Sequence, residues 1–191
     1  MLDNLNRYDI VLASNSPRRR ELLGQLGVKF RVETIKGLDE SYDPSMPVSE
    51  VAAYLSQLKA SAYSLAANEL IITADTVVIC EGEVMGKPAD RADAYRMIRA
   101  LSGRTHQVIT GVTIATTDKK ETFSNVTEVT FASLTDKEIY HYIDVYRPYD
   151  KAGAYGIQEW IGYMGIIGIN GCYYNVMGLP VNHLYTLLKT F

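Results

Sequence analysis

The sequence predicts an α/β fold: a mixed, twisted sheet with flanking helices. Three observations predict it. Apolar, β-branched runs alternate with helical stripes from one end of the chain to the other. Short polar turns such as Glu81-Gly82-Glu83 join some runs directly as hairpins, so the sheet is mixed rather than purely parallel. With 191 residues, 47% of them hydrophobic, the chain can bury one sizeable core without staples.

The elements follow in order. Ile10-Val11-Leu12-Ala13 is a buried strand that runs into the turn Ser14-Asn15-Ser16-Pro17. Ser16 suits a helix N-cap and Pro17 the first helical position; Leu22, Leu23 and Leu26 make the stripe that Gly27 ends. Val28 to Glu33 reads as a second strand, and Gly37 to Pro47 as an acidic, proline-bearing loop. Val48, Val51, Ala52, Leu55, Leu58, Ala62 and Leu65 share one face of a long helix. Leu70 to Cys80 is a strand, turned back at Glu81-Gly82-Glu83. Asp90 caps a helix with Ala94, Ile98 and Leu101 inward, ended by Gly103. Gln107 to Thr116 and Thr122 to Ser133 are strands around the turn Asp118-Lys119-Lys120. Thr135 and Glu138 form a capping box for a helix reaching about Val145. Arg147 to Gly156 reads as loop, short strands are expected around Ile166 and Tyr174, and Val181 to Leu188 as the last helix.

The expected organisation is a single domain over residues 1–191 with room for two lobes, residues 1–7 being a loose N-terminal extension. A formal net charge of -3 argues against a general nucleic-acid binder but leaves room for a local basic cluster that holds one small anion. Cys80 and Cys172 fit no metal spacing, and a reducing, cytoplasmic setting is expected. The start of the chain lacks the apolar core of a signal peptide, and no run approaches the roughly 20 apolar residues of a membrane span. A homodimer is compatible with the sequence.

Two segments stand out chemically. Ser14-Asn15-Ser16-Pro17-Arg18-Arg19-Arg20 sets two hydroxyls and three guanidiniums at a helix N-terminus, which suits a phosphate chain. It equally reads as a capped helix with a solvated basic first turn, although cations there oppose the helix dipole. Asp75 interrupts the apolar run Ile71 to Ile79, where an ionised carboxylate is costly unless paired or metal-bound. It is either a general base or metal ligand, or a strand residue bonded to neighbouring backbone. Glu40, Lys59, Lys87, Asp150 and Lys151 each read singly as surface charges. Lys59 lies beside the apolar stripe of its helix, three residues after Ser56, and Lys87 sits in the rigid loop Gly86-Lys87-Pro88. His106 reads as a structural polar residue at a strand start, His141 and His183 lack ligand partners four residues on, and the tyrosines from Tyr140 to Tyr149 read as a half-buried helix face.

Several segments then resemble one family in its order. They are Ser14-Asn15-Ser16-Pro17-Arg18-Arg19, Ala74-Asp75-Thr76-Val77-Val78, Gly86-Lys87-Pro88, Ser102 to Val108, Asp150 to Gln158 and Gly178-Leu179-Pro180. The set is similar to the Maf (septum formation inhibitor) proteins from Tyr8 onward. The resemblance implies a fold like that of inosine triphosphate pyrophosphatases, with a cleft between two lobes. It implies a hydrolase that splits a nucleoside triphosphate into monophosphate and pyrophosphate with Mg²⁺ or Mn²⁺. It places the general base at Asp75, the metal at Asp75 and Glu40, and the phosphates at Ser14, Ser16, Arg18, Arg19, Lys59 and Lys87. Arg18, Thr76 and Gln158 match the branch that acts on dTTP and UTP; the 7-methyl-GTP branch typically has Trp and Gln at the first two positions. Two departures are Arg147, where many members have Glu before the proline, and Glu159-Trp160, where Gly commonly follows the glutamine. The alternative reading is a nucleotide-binding regulator of cell division without turnover.

Overall fold

The computed structural model describes residues 2–191; Met1 lies outside them. In chain order the strands are β1 (Asp9–Leu12), β2 (Arg31–Val32), β3 (Glu69–Cys80), β4 (Glu83–Met85), β5 (Thr105–Ala115), β6 (Lys120–Phe131) and β7 (Ile166–Asn170). The α-helices are α1 (Pro17–Gln25), α2 (Val51–Ser61), α3 (Arg91–Leu101), α4 (Asp136–Tyr146), α5 (Trp160–Gly165), α6 (Tyr173–Met177) and α7 (Val181–Leu188). Among the described residues the strands form one seven-stranded sheet, ordered β2-β1-β3-β5-β6-β7, with β4 paired to β3. β1 runs parallel to both β2 and β3, while β3–β4 and β6–β7 are antiparallel. The predicted mixed sheet is therefore what the chain builds. The helical segments after β1 and β2 allow the parallel pairings, a two-residue turn gives the β3–β4 pair, and β6 and β7 pair across the long connection that carries α4 and α5. Glu81 (φ 52°) and Gly82 (φ 85°) form the two-residue turn between β3 and β4, and positive φ at both positions matches the strand twist.

The chain divides into two compact units. Unit 1 comprises Met1–Asp75, Thr110–Asn125 and Gly178–Phe191; unit 2 comprises Thr76–Ile109 and Val126–Met177. In unit 1, Val11, Ala13, Ile71 and Ala115 are buried together, with Tyr63 and Leu65 packed against them. The segment expected to be a loose extension is ordered from Asp3 to Arg7 as a 3-10 helix with Leu5 buried. Asn4 Nδ2 donates to the Leu188 carbonyl at 2.8 Å, and Arg7 donates to the carbonyl of Phe191. α2 is shorter than its stripe: a turn from Pro47 to Glu50 precedes it and it ends at Ser61, so Val48, Ala62 and Leu65 fall outside. It lies so close to β5 that a Cβ on Gly111 would stand 2.3 Å from the carbonyl carbon of Ala52. The strand expected over Val28 to Glu33 keeps only Arg31–Val32, at the end of the sheet.

In unit 2, α3 starts at Asp90, whose side chain accepts from Asp93 N–H at 2.8 Å, and α4 carries the full Thr135–Glu138 capping box. One expectation needs correction here. Tyr174 is helical, in α6, because Asn175 turns inward and its amide donates to Val108 O and Thr127 Oγ1, each at 3.0 Å. The strand expected around Ile166 is β7, and α5 stands directly before it.

His106, on β5, is 2% exposed, and its Nε2 lies 2.7 Å from the Tyr155 hydroxyl. Phe131 and Tyr155 meet its ring edge-on at 5.2 and 5.4 Å. Burial pushes its pKa down to about 4 from an ordinary 6.5. The unfolded chain therefore takes up a proton near pH 6.5 that the folded chain refuses until about 4, and stability falls as pH drops through that window. Acidification from pH 7.5 to 5 is expected to cost about 2 kcal/mol through this residue. Urea unfolding at both pH values, compared with His106→Gln, reads that difference directly. An equal loss in the two proteins would remove His106 as the cause.

Candidate functional site

In unit 1 the first candidate segment lies between β1 and α1. Ser16 caps α1 by accepting from Arg19 N–H at 3.4 Å, and Pro17 occupies the first turn. Ser14 is buried, and its Oγ accepts from Ser16 N–H at 3.2 Å and from an Arg19 guanidinium N–H at 3.4 Å. Arg19 Nε also donates to Gly178 O at 2.8 Å, so the side chain is fixed from two sides. Burial holds its guanidinium below the usual arginine range; Asp75 and Glu40 act in the opposite sense, and Arg18 adds to the lowering. The helix N-terminus, a buried hydroxyl and an oriented guanidinium thus share one corner, which suits an anion with several oxygens.

Asp75 lies in β3 between two buried stretches, its side chain only 16% exposed. Its Oδ1 accepts from Lys59 Nζ at 2.5 Å, and the same ammonium is 3.0 Å from Glu40 Oε2. So Asp75 is paired through a side chain, and the two carboxylates converge on one cation. The sequence favours this placement of Lys59 through its helix neighbour Ser56. Ser56 is fully buried; its Oγ donates to Ala53 O and meets Thr113 Oγ1, both at 2.8 Å, and its carbonyl accepts from Thr73 Oγ1 at 2.6 Å. These bonds lock the rotation of α2 against β3 and β5, which directs Lys59 at Asp75.

Two carboxylates plus nearby phosphate oxygens and water form a donor set that fits Mg²⁺ or Mn²⁺, hard ions that keep several non-protein oxygens. Among the described residues no group of three or more His, Cys, Asp or Glu side chains is set for a metal. Asp75 and Glu40 would thus hold such an ion jointly with a phosphate-bearing substrate.

In unit 2, Thr76 follows Asp75 on β3, half-buried, and Lys87 is exposed in the loop after β4. That loop is tied to the next candidate segment by Gly153 N–H donating to Gly86 O at 3.0 Å. Gln158 is half-buried, yet its Oε1 is buried and accepts no hydrogen bond. Lys151 does not behave as a surface charge: it is 7% exposed and contacts Asp150 Oδ1 at 2.7 Å and Glu159 Oε1 at 3.1 Å. Tyr142, read from sequence as half-buried, is fully buried and donates to Glu159 Oε2. Burial, then Glu159, push its phenol well above the ordinary tyrosine range. Nothing in the sequence marks this cluster beyond the charges of Asp150, Lys151 and Glu159. Arg147, one of the departures, is exposed at the left-handed end of α4 (φ 49°). Trp160, the other, opens α5 with its ring 4.9 Å from that of His141.

The sequence pattern of the Maf family, described as Maf-like protein, matches residues 9–191. The chain belongs to the Maf family. Maf relatives named dTTP/UTP pyrophosphatase are similar over nearly the full length. That of Parabacteroides distasonis is 57% identical, covering 100% of both chains, and that of Phocaeicola vulgatus is 56% identical, covering 99% of both. Among solved structures, the Staphylococcus aureus Ham1 protein aligns with a TM-score of 0.52 at 17% identity, over 95% of this Maf chain and 98% of its own. A HAM1 protein from Coxiella burnetii gives 0.51 at 15%, over 96% and 100%. At those identities the likeness shows the fold alone, the inosine triphosphate pyrophosphatase-like fold expected from the motifs. Among the described residues no helix is long and apolar enough to cross a membrane.

Proposed function

We propose that this Maf protein hydrolyses dTTP and UTP to the nucleoside monophosphate and pyrophosphate. The observation that carries the reading is the convergence of Asp75 and Glu40 on Lys59, within the same unit as the Ser14–Arg19 corner. The near-full-length likeness to relatives named dTTP/UTP pyrophosphatase supports the substrate class. The family match runs through both units, which supports one functional domain.

In this mechanism Ser14, Ser16, Arg18 and Arg19 hold the phosphate tail, with Lys59 and Lys87 as further cations. Fixing the tail aligns the α phosphorus with the attacking water. Asp75, oriented by Lys59, accepts the water's proton. The new P–O bond forms at the α phosphorus as the bond from that phosphorus to the α–β bridging oxygen breaks, and the bridging oxygen keeps the electron pair and leaves as part of pyrophosphate. Asp75 and Glu40 would hold a divalent ion, which when bound would neutralise phosphate charge. Arg18, Thr76 and Gln158 select the base.

The test is pyrophosphate release from UTP with Mn²⁺. Turnover is expected with the ion and its loss, by about 10² or more, with excess chelator. Nucleotide binding without release under every divalent ion tried would instead favour a nucleotide-binding regulator.

A further inference from the structure

The turn Gly156-Ile157-Gln158-Glu159 of unit 2 is closed by Glu159 N–H donating to Gly156 O at 3.0 Å. Both of its ends meet one hydroxyl. Gly156 N–H donates to Tyr142 Oη at 2.9 Å, and Tyr142 O–H donates to Glu159 Oε2. The other Glu159 oxygen faces Lys151 Nζ at 3.1 Å. The packing is close: a Cβ on Gly156 would stand 2.9 Å from Gln158 Nε2 and 3.0 Å from Glu159 Cδ.

A buried Lys–Glu pair is a poor source of stability, since desolvation offsets much of the attraction. What it does supply is geometry: it fixes Glu159, which with Tyr142 fixes both ends of a four-residue turn. At the third position of that turn stands Gln158, whose buried Oε1 has no donor. A buried acceptor left bare costs free energy that a ligand donor would recover.

We infer that Tyr142, Glu159 and Lys151 are positioning residues that hold the turn so that Gln158 Oε1 meets an N–H donor on the base, the N3–H of uracil or thymine. The inference rests on the reading of Gln158 as a base-selecting residue. Cytosine offers a lone pair at N3, so a fixed Oε1 faces another acceptor and rejects it. A turn free to rotate the amide presents its NH₂ group instead and loses that discrimination. Glu159 stands where Gly commonly follows the glutamine, so this arm of the clamp lies just outside the motif from Asp150 to Gln158 that contains Lys151.

The experiment measures kcat and KM for UTP and CTP in Tyr142→Phe, Glu159→Gln and Lys151→Met, with Lys151→Arg as the conservative partner and Gln158→Ala as reference. The UTP-over-CTP ratio of kcat/KM is expected to fall about tenfold or more in the first three, chiefly through a higher KM for UTP, while Lys151→Arg keeps it. The three substitutions approach the turn from three sides, so if one fails to fold the others still decide. A wild-type ratio in the folded variants, with the ratio collapsed in Gln158→Ala, overturns the clamp alone. A wild-type ratio in Gln158→Ala overturns the base-reading role on which the clamp depends.

Discussion

Asp75→Asn is expected to lower UTP turnover by about 10² or more in a chain that still folds. The substitution is nearly isosteric. The amide oxygen of Asn can still accept from Lys59 Nζ, which in the native chain lies 2.5 Å from Asp75 Oδ1, so the side chain stays in place at its half-buried position in β3. What is lost is basicity and one negative charge. An amide cannot take the water's proton, and it is a poorer ligand for a hard divalent ion. Lys59 retains Glu40 at 3.0 Å, so its ammonium does not become a buried unpaired charge. The measurement is the initial rate of pyrophosphate release with Mn²⁺, alongside a thermal melt. A near-native melting temperature with near-native turnover would show that Asp75 serves only to anchor Lys59.

Features legible in the sequence were those written locally. Ser16-Pro17 signals a helix start whatever surrounds it, and α1 begins at Pro17 with Ser16 as its cap. Thr135 and Glu138 satisfy each other's donors within one turn, and α4 begins there. Asp75 was conspicuous because a carboxylate within an apolar strand calls for a partner. The identity of that partner was only half legible. Lys59 lay on the right helix after Ser56, but its direction depends on hydroxyl contacts with Thr73 and Thr113, 17 and 57 residues away from Ser56.

Features that escaped the sequence depend on distant contacts. Lys151 reads as a surface charge because lysine is seldom buried, and only the fold brings Glu159 to it. Tyr142 reads as half-buried because helical periodicity cannot foresee that Gly156 and Glu159 will meet its hydroxyl. The helix at Tyr173–Met177 follows from a buried Asn175 amide that binds Val108 and Thr127, whereas its aromatic and β-branched residues locally favour a strand. Among the described residues the strand expected over Val28 to Glu33 pairs with β1 alone, and just two of its residues find register there.

UTP and dTTP are expected to exceed 7-methyl-GTP in kcat/KM by about 10² or more at one Mn²⁺ concentration. Three side chains from separate segments bear on this. Arg18 stands at the start of α1 beside Arg19, where its charge lowers the pKa of that neighbour. The methylated guanine ring carries a positive charge, which an aromatic face attracts and a guanidinium repels. Arg at this position therefore disfavours that base, where the Trp typical of the other branch would stack on it. Thr76 on β3 offers a short hydroxyl in place of the longer Gln amide of that branch. Gln158 holds a buried carbonyl oxygen without a donor, which the N3–H of uracil or thymine would supply. Repulsion of one base and completion of a hydrogen bond by the other act in the same direction, and their effects on the ratio multiply if the sites are independent. Arg18→Trp alone is therefore expected to narrow the gap without closing it. Preference of the native chain for 7-methyl-GTP would overturn the assignment of the branch and leave the pyrophosphatase in place. Absence of cleavage of all three nucleotides with any divalent ion would overturn the enzyme itself, and Asp75, Glu40 and Lys59 would then be the ion pairs of a nucleotide-binding regulator.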